Sequence, residues 1–198
     1  MNEVVLRFLT RVALPCAAVL AFACSRPVDE PPLAGARLGG PFTLVDQNGH
    51  TVRDTDFSGR YRLVYFGFSF CPDVCPTDLQ VIGQGMRLFE KRAPGRASRV
   101  QPIFITVDPR RDTPAVLKSY VAAFYPRLIG LTGTQAQIDA VRKEFAIYAA
   151  ERPTEGGGYT MDHSRQATLF GPHGEPIAIL SQDQGPQALA DDLDRWVR

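Results

Sequence analysis

The chain has 198 residues, 44% of them hydrophobic, and its 22 basic and 21 acidic residues leave a net charge of +1. That length and apolar content suit one domain with a full core plus a leader, and exclude a disordered tail or a repeat array. The charge balance gives no general attraction for polyanions, so no nucleic acid is expected among the partners.

The first stretch, "MNEVVLRFLTRVALPCAAVLAFAC", places Arg7 and Arg11 before a charge-free run from Val12 to Ala23, and then Cys24. A charged start, a short apolar core and small residues at its end form the layout of an export signal. As a helix this core would span roughly 18 Å, against about 30 Å of bilayer interior. "LAFAC" resembles a bacterial lipoprotein box in which Cys24 would receive lipid, although Ala21 stands where leucine is commoner. Cleavage after Ala21-Phe22-Ala23 and an uncleaved anchor reaching back to Val4 stay open beside it. All three place the domain outside the cytoplasm, on the periplasmic side of a bacterial envelope. Residues 1–24 are thus expected to be a leader or membrane anchor. Residues 25–40, with Pro27, Pro31 and Pro32, read as a Pro/Gly-rich tether, and 41–198 as the folded domain.

Within the domain, "PFTLVDQNGHTV" predicts a hairpin turning at Asn48-Gly49. "RLVYFGFSF" (62–70) is a nearly continuous aromatic and β-branched run, as expected of a buried central strand. Leu79, Ile82, Met86 and Phe89 then recur at helical spacing. "RVQPIFITVD" (99–108) predicts the next buried strand. A helix capped by Thr113 with Pro114 at its first position follows, its inward face Leu117, Tyr120, Val121 and Phe124. "PRLIGLTG" predicts a short strand, "TQAQIDAVRKEF" a helix and "AIYAAE" another strand. "RPTEGGGYTMDHS" reads as a glycine-rich loop, "RQATLFGPHGEPIAIL" as a hairpin turning at Gly171 to Gly174, and "PQALADDLDRWV" as a closing helix. This order predicts an α/β domain, a central mixed sheet flanked by helices with β-hairpin additions, and suits a thioredoxin-like fold.

With Cys16 and Cys24 in the leader, the domain keeps only Cys71 and Cys75, each followed by proline. A bridge between them would close a tiny loop and stabilise little, so chemistry explains the pair better than structure does. The spacing is C-x₃-C, not the C-x₂-C of a thioredoxin-type turn. On a regular helix the two Cβ atoms would lie about 5–6 Å apart, against about 3.8 Å in a relaxed disulfide. Pro76 lacks the N–H that a helix begun at Pro72 would use, so the helix is expected to begin at Pro76 with Cys75 near its cap. Either way both sulfurs lie near a helix N-terminus, which favours thiolate, while Asp73 adds opposing negative charge. Two thiolates are soft ligands suited to Cu(I) or Zn(II). A closed structural zinc site wants four protein ligands, and the remaining donors are three histidines. His50 and His173 fall in turns and read as solvated. His163 falls in the irregular loop and is open as ligand or structural residue. Asp108 and Asp112 flank a turn before a capped helix, where local backbone hydrogen bonding explains them as well as chemistry does.

"GFSFCPDVCPTDL", "ITVDPRRDTPAVLKSY" and "YTMDHS", in this order, resemble the three signatures of the Sco/SenC family of copper chaperones for cytochrome c oxidase assembly. The resemblance runs from about Ala36 to the C-terminus, with Ser69 where threonine is commoner and no proline between Pro153 and Pro172, where thioredoxins hold one beside their redox cysteines. It implies a thioredoxin-like domain, tethered to a membrane, that binds copper as Cu(I) or Cu(II) through Cys71, Cys75 and His163. It further implies delivery to the dinuclear copper centre of oxidase subunit II or another copper acceptor. A redox disulfide between Cys71 and Cys75, maintained by a thiol reductant, is part of the same pattern. Asp162 is a candidate to orient the His163 ring, and Asp73 to tune the thiols or meet a partner. The reading is a carrier rather than a turnover enzyme. Its rivals are a thiol–disulfide oxidoreductase that reduces a partner without carrying metal, a thiol peroxidase and a redox or copper sensor.

Overall fold

The computed structural model describes residues 29–198, so the leader, Cys24 and the cleavage alternatives lie outside the described residues. In chain order the elements are β1 (Thr43–Asp46), β2 (Thr51–Arg53), β3 (Tyr61–Gly67), α1 (Val74–Arg92), α2 (Pro94–Ala97), β4 (Val100–Thr106), α3 (Pro114–Ala122) and β5 (Ile129–Thr132). There follow α4 (Gln135–Glu144), β6 (Ala149–Pro153), β7 (Tyr159–His163), β8 (Ala167–Phe170), β9 (Pro176–Ile179) and α5 (Pro186–Trp196).

The apolar runs at β3 and β4 are strands because both of their faces are covered, and every residue of each is buried. They pair in parallel at the middle of a sheet ordered β2-β1-β5-β4-β3-β8-β9. β5 runs parallel to β4, whereas β1, β8 and β9 join antiparallel, which makes the sheet mixed. Alternation along β3 divides the core. Tyr65 stacks beside Phe104, which meets Tyr120 of α3, and the Tyr65 hydroxyl reaches Asp78 of α1. On the opposite face Phe66 meets Phe145 at the end of α4, and Phe145 also contacts Phe42 and Phe170. Helices therefore flank both faces.

The predicted inward face of α1 is realised, with Leu79, Ile82, Met86 and Phe89 all buried. Close helix packing needs its glycines: a Cβ on Gly83 would lie 2.5 Å from the Phe124 carbonyl oxygen. The Asn48-Gly49 hairpin forms as expected, with Gly49 at φ 85°. Thr113 caps α3 by accepting the Val116 N–H.

Three boundaries depart from expectation. α1 begins at Val74, with Asp73 at its N-cap, rather than at Pro76; Pro76 sits in the first turn, where its missing N–H has no intrahelical partner to lose. The strand expected at Ala146 begins at Ala149, because α4 ends in a Schellman turn. There Ala146 adopts φ 51° and Ile147 N–H reaches back to the Arg142 carbonyl. The glycine-rich loop is mostly ribbon: β6 and β7 pair antiparallel from Ala149↔His163 to Pro153↔Tyr159, and only the tip turns, through Gly156 and Gly157 at positive φ.

Residues 29–40, read as the end of a tether, lie against the domain. Leu33 N–H donates to the Ile177 carbonyl, Gly39 N–H to the Glu144 carbonyl, and Leu38 packs on the core. Among the described residues no helix is long and apolar enough to cross a membrane.

Candidate metal centre

β3 ends at Gly67, and the chain turns through Phe68, Ser69 and Phe70 before Cys71. That turn is held from a distance. Asp112 is fully buried and accepts hydrogen bonds from the Ser69 N–H (3.0 Å), the Ser69 hydroxyl and the Thr106 hydroxyl (2.6 Å). Local backbone bonding, one of the two explanations left open for Asp112, is therefore not what engages its side chain. Burial holds its carboxyl above the usual range despite the donors from Ser69 and Thr106. Asp108 does take part locally, its carbonyl accepting from the Asp112 N–H, but its buried carboxylate pairs with Arg111 and accepts from the Tyr159 hydroxyl (3.0 Å).

Cys71 is half-exposed and Cys75 fully buried, both as free thiols. Cys75 lies in the first turn of α1 and its N–H donates to the Cys71 sulfur at 3.4 Å. Gly67 makes room for it, since a Cβ there would stand 2.9 Å from the Cys75 sulfur and 3.0 Å from the Phe104 ring. Below, the Tyr65 hydroxyl donates to Asp78 at 2.8 Å, and Arg165 pairs with the same buried carboxylate at 2.8 Å.

His163, at the end of β7, brings Nε2 to 3.1 Å from the Cys75 sulfur. Its Nδ1 lies 2.7 Å from the Ser164 carbonyl oxygen, which can only accept. The proton therefore sits on Nδ1, and Nε2 presents a lone pair to the sulfurs. Phe68 packs edge-on against the ring, 5.7 Å between centroids. The β6–β7 ribbon is anchored by Arg111, which donates to the Tyr159 carbonyl at 2.9 Å and stacks 3.8 Å from the Tyr159 ring centroid.

The ligand atoms of Cys71, Cys75 and His163 all lie within 4.8 Å of one another. Cys71 and His163 border a cleft of about 310 Å³ whose rim includes Asp73 and Asp162, and Cys75 lies buried behind them. The Asp162 carboxylate turns outward to Arg152 at 3.2 Å, so the Ser164 carbonyl and not Asp162 occupies the outer nitrogen of His163. Asp73 is exposed at the N-cap. His50 and His173 are exposed in their turns, outside the cluster.

The two thiols are driven apart. A hydrogen bond from Cys75, with further ones from the N–H groups of Asp73 and Cys75, brings the Cys71 pKa down to about 3. The bond to the Cys71 sulfur, with burial, pushes Cys75 up. The pair thus holds one proton between two sulfurs. Two thiolate-capable sulfurs and a correctly tautomerised imidazole form a three-donor set that fits a soft monovalent ion and falls one short of a closed zinc site.

Asp112, Arg111, Gly67 and Asp78 lie inside the signature stretches, but nothing in the sequence assigns their contacts around this centre, or those of Tyr65 and Arg165. Asp112 meets Ser69 at a separation of 43 residues, Arg111 meets Tyr159 at 48 and Asp78 meets Arg165 at 87, beyond the reach of local pattern.

A mixed sheet ending in a cysteine pair at a helix start, one sulfur half-exposed and one buried, defines a thioredoxin-like domain, here with an imidazole added from a separate ribbon. The thioredoxin domain of a thiol-disulfide oxidoreductase from Bacteroides vulgatus shares this fold at 17% identity and a TM-score of 0.57, over 81% of this chain and 96% of that one. The sequence model of the SCO1/SenC family matches residues 30–198, and the chain belongs to that family. It is 40% identical over 160 residues to Protein SenC of Rhodobacter capsulatus, covering 81% of this chain and 71% of that protein. The structure of Bradyrhizobium japonicum ScoI with copper bound is similar at 42% identity and a TM-score of 0.73, over 80% of this chain and 99% of that one.

Proposed function

We propose that this chain is a membrane-tethered, extracytoplasmic copper chaperone. It carries copper on Cys71, Cys75 and His163 to the dinuclear copper centre of cytochrome c oxidase subunit II. The observation that carries this reading is the convergence of two sulfurs and the Nε2 lone pair within 4.8 Å, with Cys75 and His163 88 residues apart in the chain. Membership in a family of cytochrome c oxidase assembly proteins supports the acceptor, and the copper-bound ScoI relative supports the cargo. The export-type leader supports the tether and a bacterial periplasmic setting.

Copper is the cargo. Cys71 meets it as thiolate, and Cys75 loses its proton as the second sulfur binds. His163 turns Nε2 toward the copper, because the Ser164 carbonyl holds Nδ1–H. The half-exposed Cys71 side of the cleft is the exit, where an acceptor's ligands replace the sulfurs one at a time. Asp73 and Asp162, on the rim, meet that acceptor. Oxidation of the thiolate–thiol pair to a disulfide releases two electrons and the one shared proton and removes both sulfur ligands, so a thiol reductant is required for reloading.

A second reading rests on the thiol asymmetry. An exposed low-pKa Cys71 attacks a partner disulfide, and buried Cys75 resolves the mixed disulfide, leaving the partner reduced. Anaerobic copper titration of the reduced protein separates the two. The chaperone binds one copper per chain. Cys71→Ala or Cys75→Ala abolishes tight Cu(I) binding, and His163→Ala weakens Cu(II) more than Cu(I). Equal titrations for all four proteins, with the dithiol still cycling, would transfer the function to the reductase.

A further inference from the structure

Arg62 is the second residue of β3, at the end of the strand opposite the cysteines and on the order of 20 Å from them along it. Its neighbours in sequence are core residues, and Arg62 itself is only 8% exposed. A buried guanidinium ordinarily pairs with a carboxylate or with carbonyls. Arg62 does neither among the described residues: burial depresses its pKa, only the more distant charges of Asp54 and Glu175 oppose this, and no hydrogen bond contributes. Both of those carboxylates are engaged elsewhere. Asp54 accepts the Phe42 N–H at 3.4 Å, and Glu175 accepts the His173 N–H at 2.9 Å.

The guanidinium instead opens into a cleft of about 440 Å³, the size of small-molecule sites generally. One face of the cleft is backbone. Gly39 and Gly40 come from the docked N-terminal strap, Gly59 precedes β3, and Gly174 comes from the β8–β9 turn. At Gly174, with φ +89°, a Cβ would fall 2.7 Å from Nη2 of Arg62, so that glycine keeps the guanidinium uncovered. The other face is apolar, through Phe57, while the Arg62 side chain lies over the Phe170 ring with 5.7 Å to its centroid.

We propose that this cleft is a binding site for a small organic monocarboxylate, with the carboxylate held by the Arg62 fork and a short apolar body against Phe57. A planar guanidinium with free N–H groups pairs with a carboxylate through two parallel hydrogen bonds. Asp54 and Glu175 nearby set the charge preference: one negative charge is welcome beside them and two are repelled. The site is separate from the sulfurs and holds whether or not copper is bound.

The test is an NMR titration of the full-length ¹⁵N-labelled chain at constant ionic strength with three probes: sodium butyrate, sodium acetate and inorganic phosphate. Saturable shifts of the Arg62 side-chain N–H and of the Gly59 and Gly174 amides are expected, with butyrate tighter than acetate and phosphate weakest. Arg62→Gln weakens butyrate by at least about tenfold. Asp54→Asn, which keeps the oxygen that Phe42 uses, tightens it. Linear, non-saturating shifts, a tighter phosphate, or unchanged butyrate binding in Arg62→Gln would each overturn the proposal. Should Arg62→Gln not fold, Asp54→Asn decides alone: butyrate affinity equal to or weaker than wild type refutes it.

Discussion

Cys71 and Cys75 share a helix start, and the same N-terminal dipole acts on both. Their chemistry differs because Cys75 is enclosed by Gly67, Phe104 and Tyr65 and supplies the proton of the bond between the two sulfurs, while Cys71 faces the cleft. With its pKa near 3, Cys71 remains thiolate across the neutral and mildly acid range. Its alkylation by iodoacetamide, followed by mass spectrometry of the labelled peptide, should change little between pH 8 and pH 5. A thiol titrating near its ordinary value would slow roughly a thousandfold over that interval. A tenfold fall per pH unit at Cys71 would refute the assignment. The Cys71 contribution to stability is complete above its unfolded value and drains as pH falls toward 3, while that of Cys75, raised, is present at low pH and lost as pH rises. Between these limits the shared proton stabilises the fold.

At the scale of elements, the centre is an assembly of a turn, a helix start and a ribbon that no single segment holds in place. Asp112, from the approach to α3, pins the turn after β3 through Ser69 while bonding Thr106 at the end of β4. Asp112→Ala leaves these donors unpaired in a buried place and should cost about 2–4 kcal/mol in urea unfolding, with Asp112→Asn recovering part of it. A loss under about 0.5 kcal/mol would show that the turn holds itself. The end of α4 carries strain of the opposite kind. Ala146 sits at φ 51°, a left-handed conformation that favours glycine, in the turn that leads into the His163-bearing ribbon. Ala146→Gly should therefore stabilise the protein by about 0.5–1 kcal/mol, after allowing for the greater freedom of glycine in the unfolded chain. Thermal unfolding would report this as a rise of a few degrees, and a fall would contradict it.

For the whole molecule, a site built from distant segments couples cargo to folding. Copper bound only by the assembled site at about a hundredfold excess over its Kd adds about 2.7 kcal/mol, or about 5–10 °C in melting temperature for a chain of this size. Reduced protein should show that rise and disulfide-oxidised protein none; equal shifts in both would separate the cysteines from the metal. The order of strands and helices, the inward face of α1, the Asn48-Gly49 hairpin, the cap at Thr113 and the cysteine pair were all legible in the sequence. Each is set by spacing or by residues within a few positions, where periodicity and turn chemistry act directly. The family resemblance likewise singled out His163, which lies beside the Cys75 sulfur. Tertiary structure alone decided that the stretch around His163 is a ribbon and not a loop, because β6 and β7 are short and largely polar and form only by pairing with each other. It also decided that the Ser164 carbonyl, not Asp162, orients the imidazole, that Asp112 reaches Ser69, and that the Arg62 guanidinium opens into a cleft with no ion-pair or hydrogen-bond partner among the described residues. These are questions of where a polar group finds its hydrogen bond once water is excluded, and the answer lies with residues that only folding brings near.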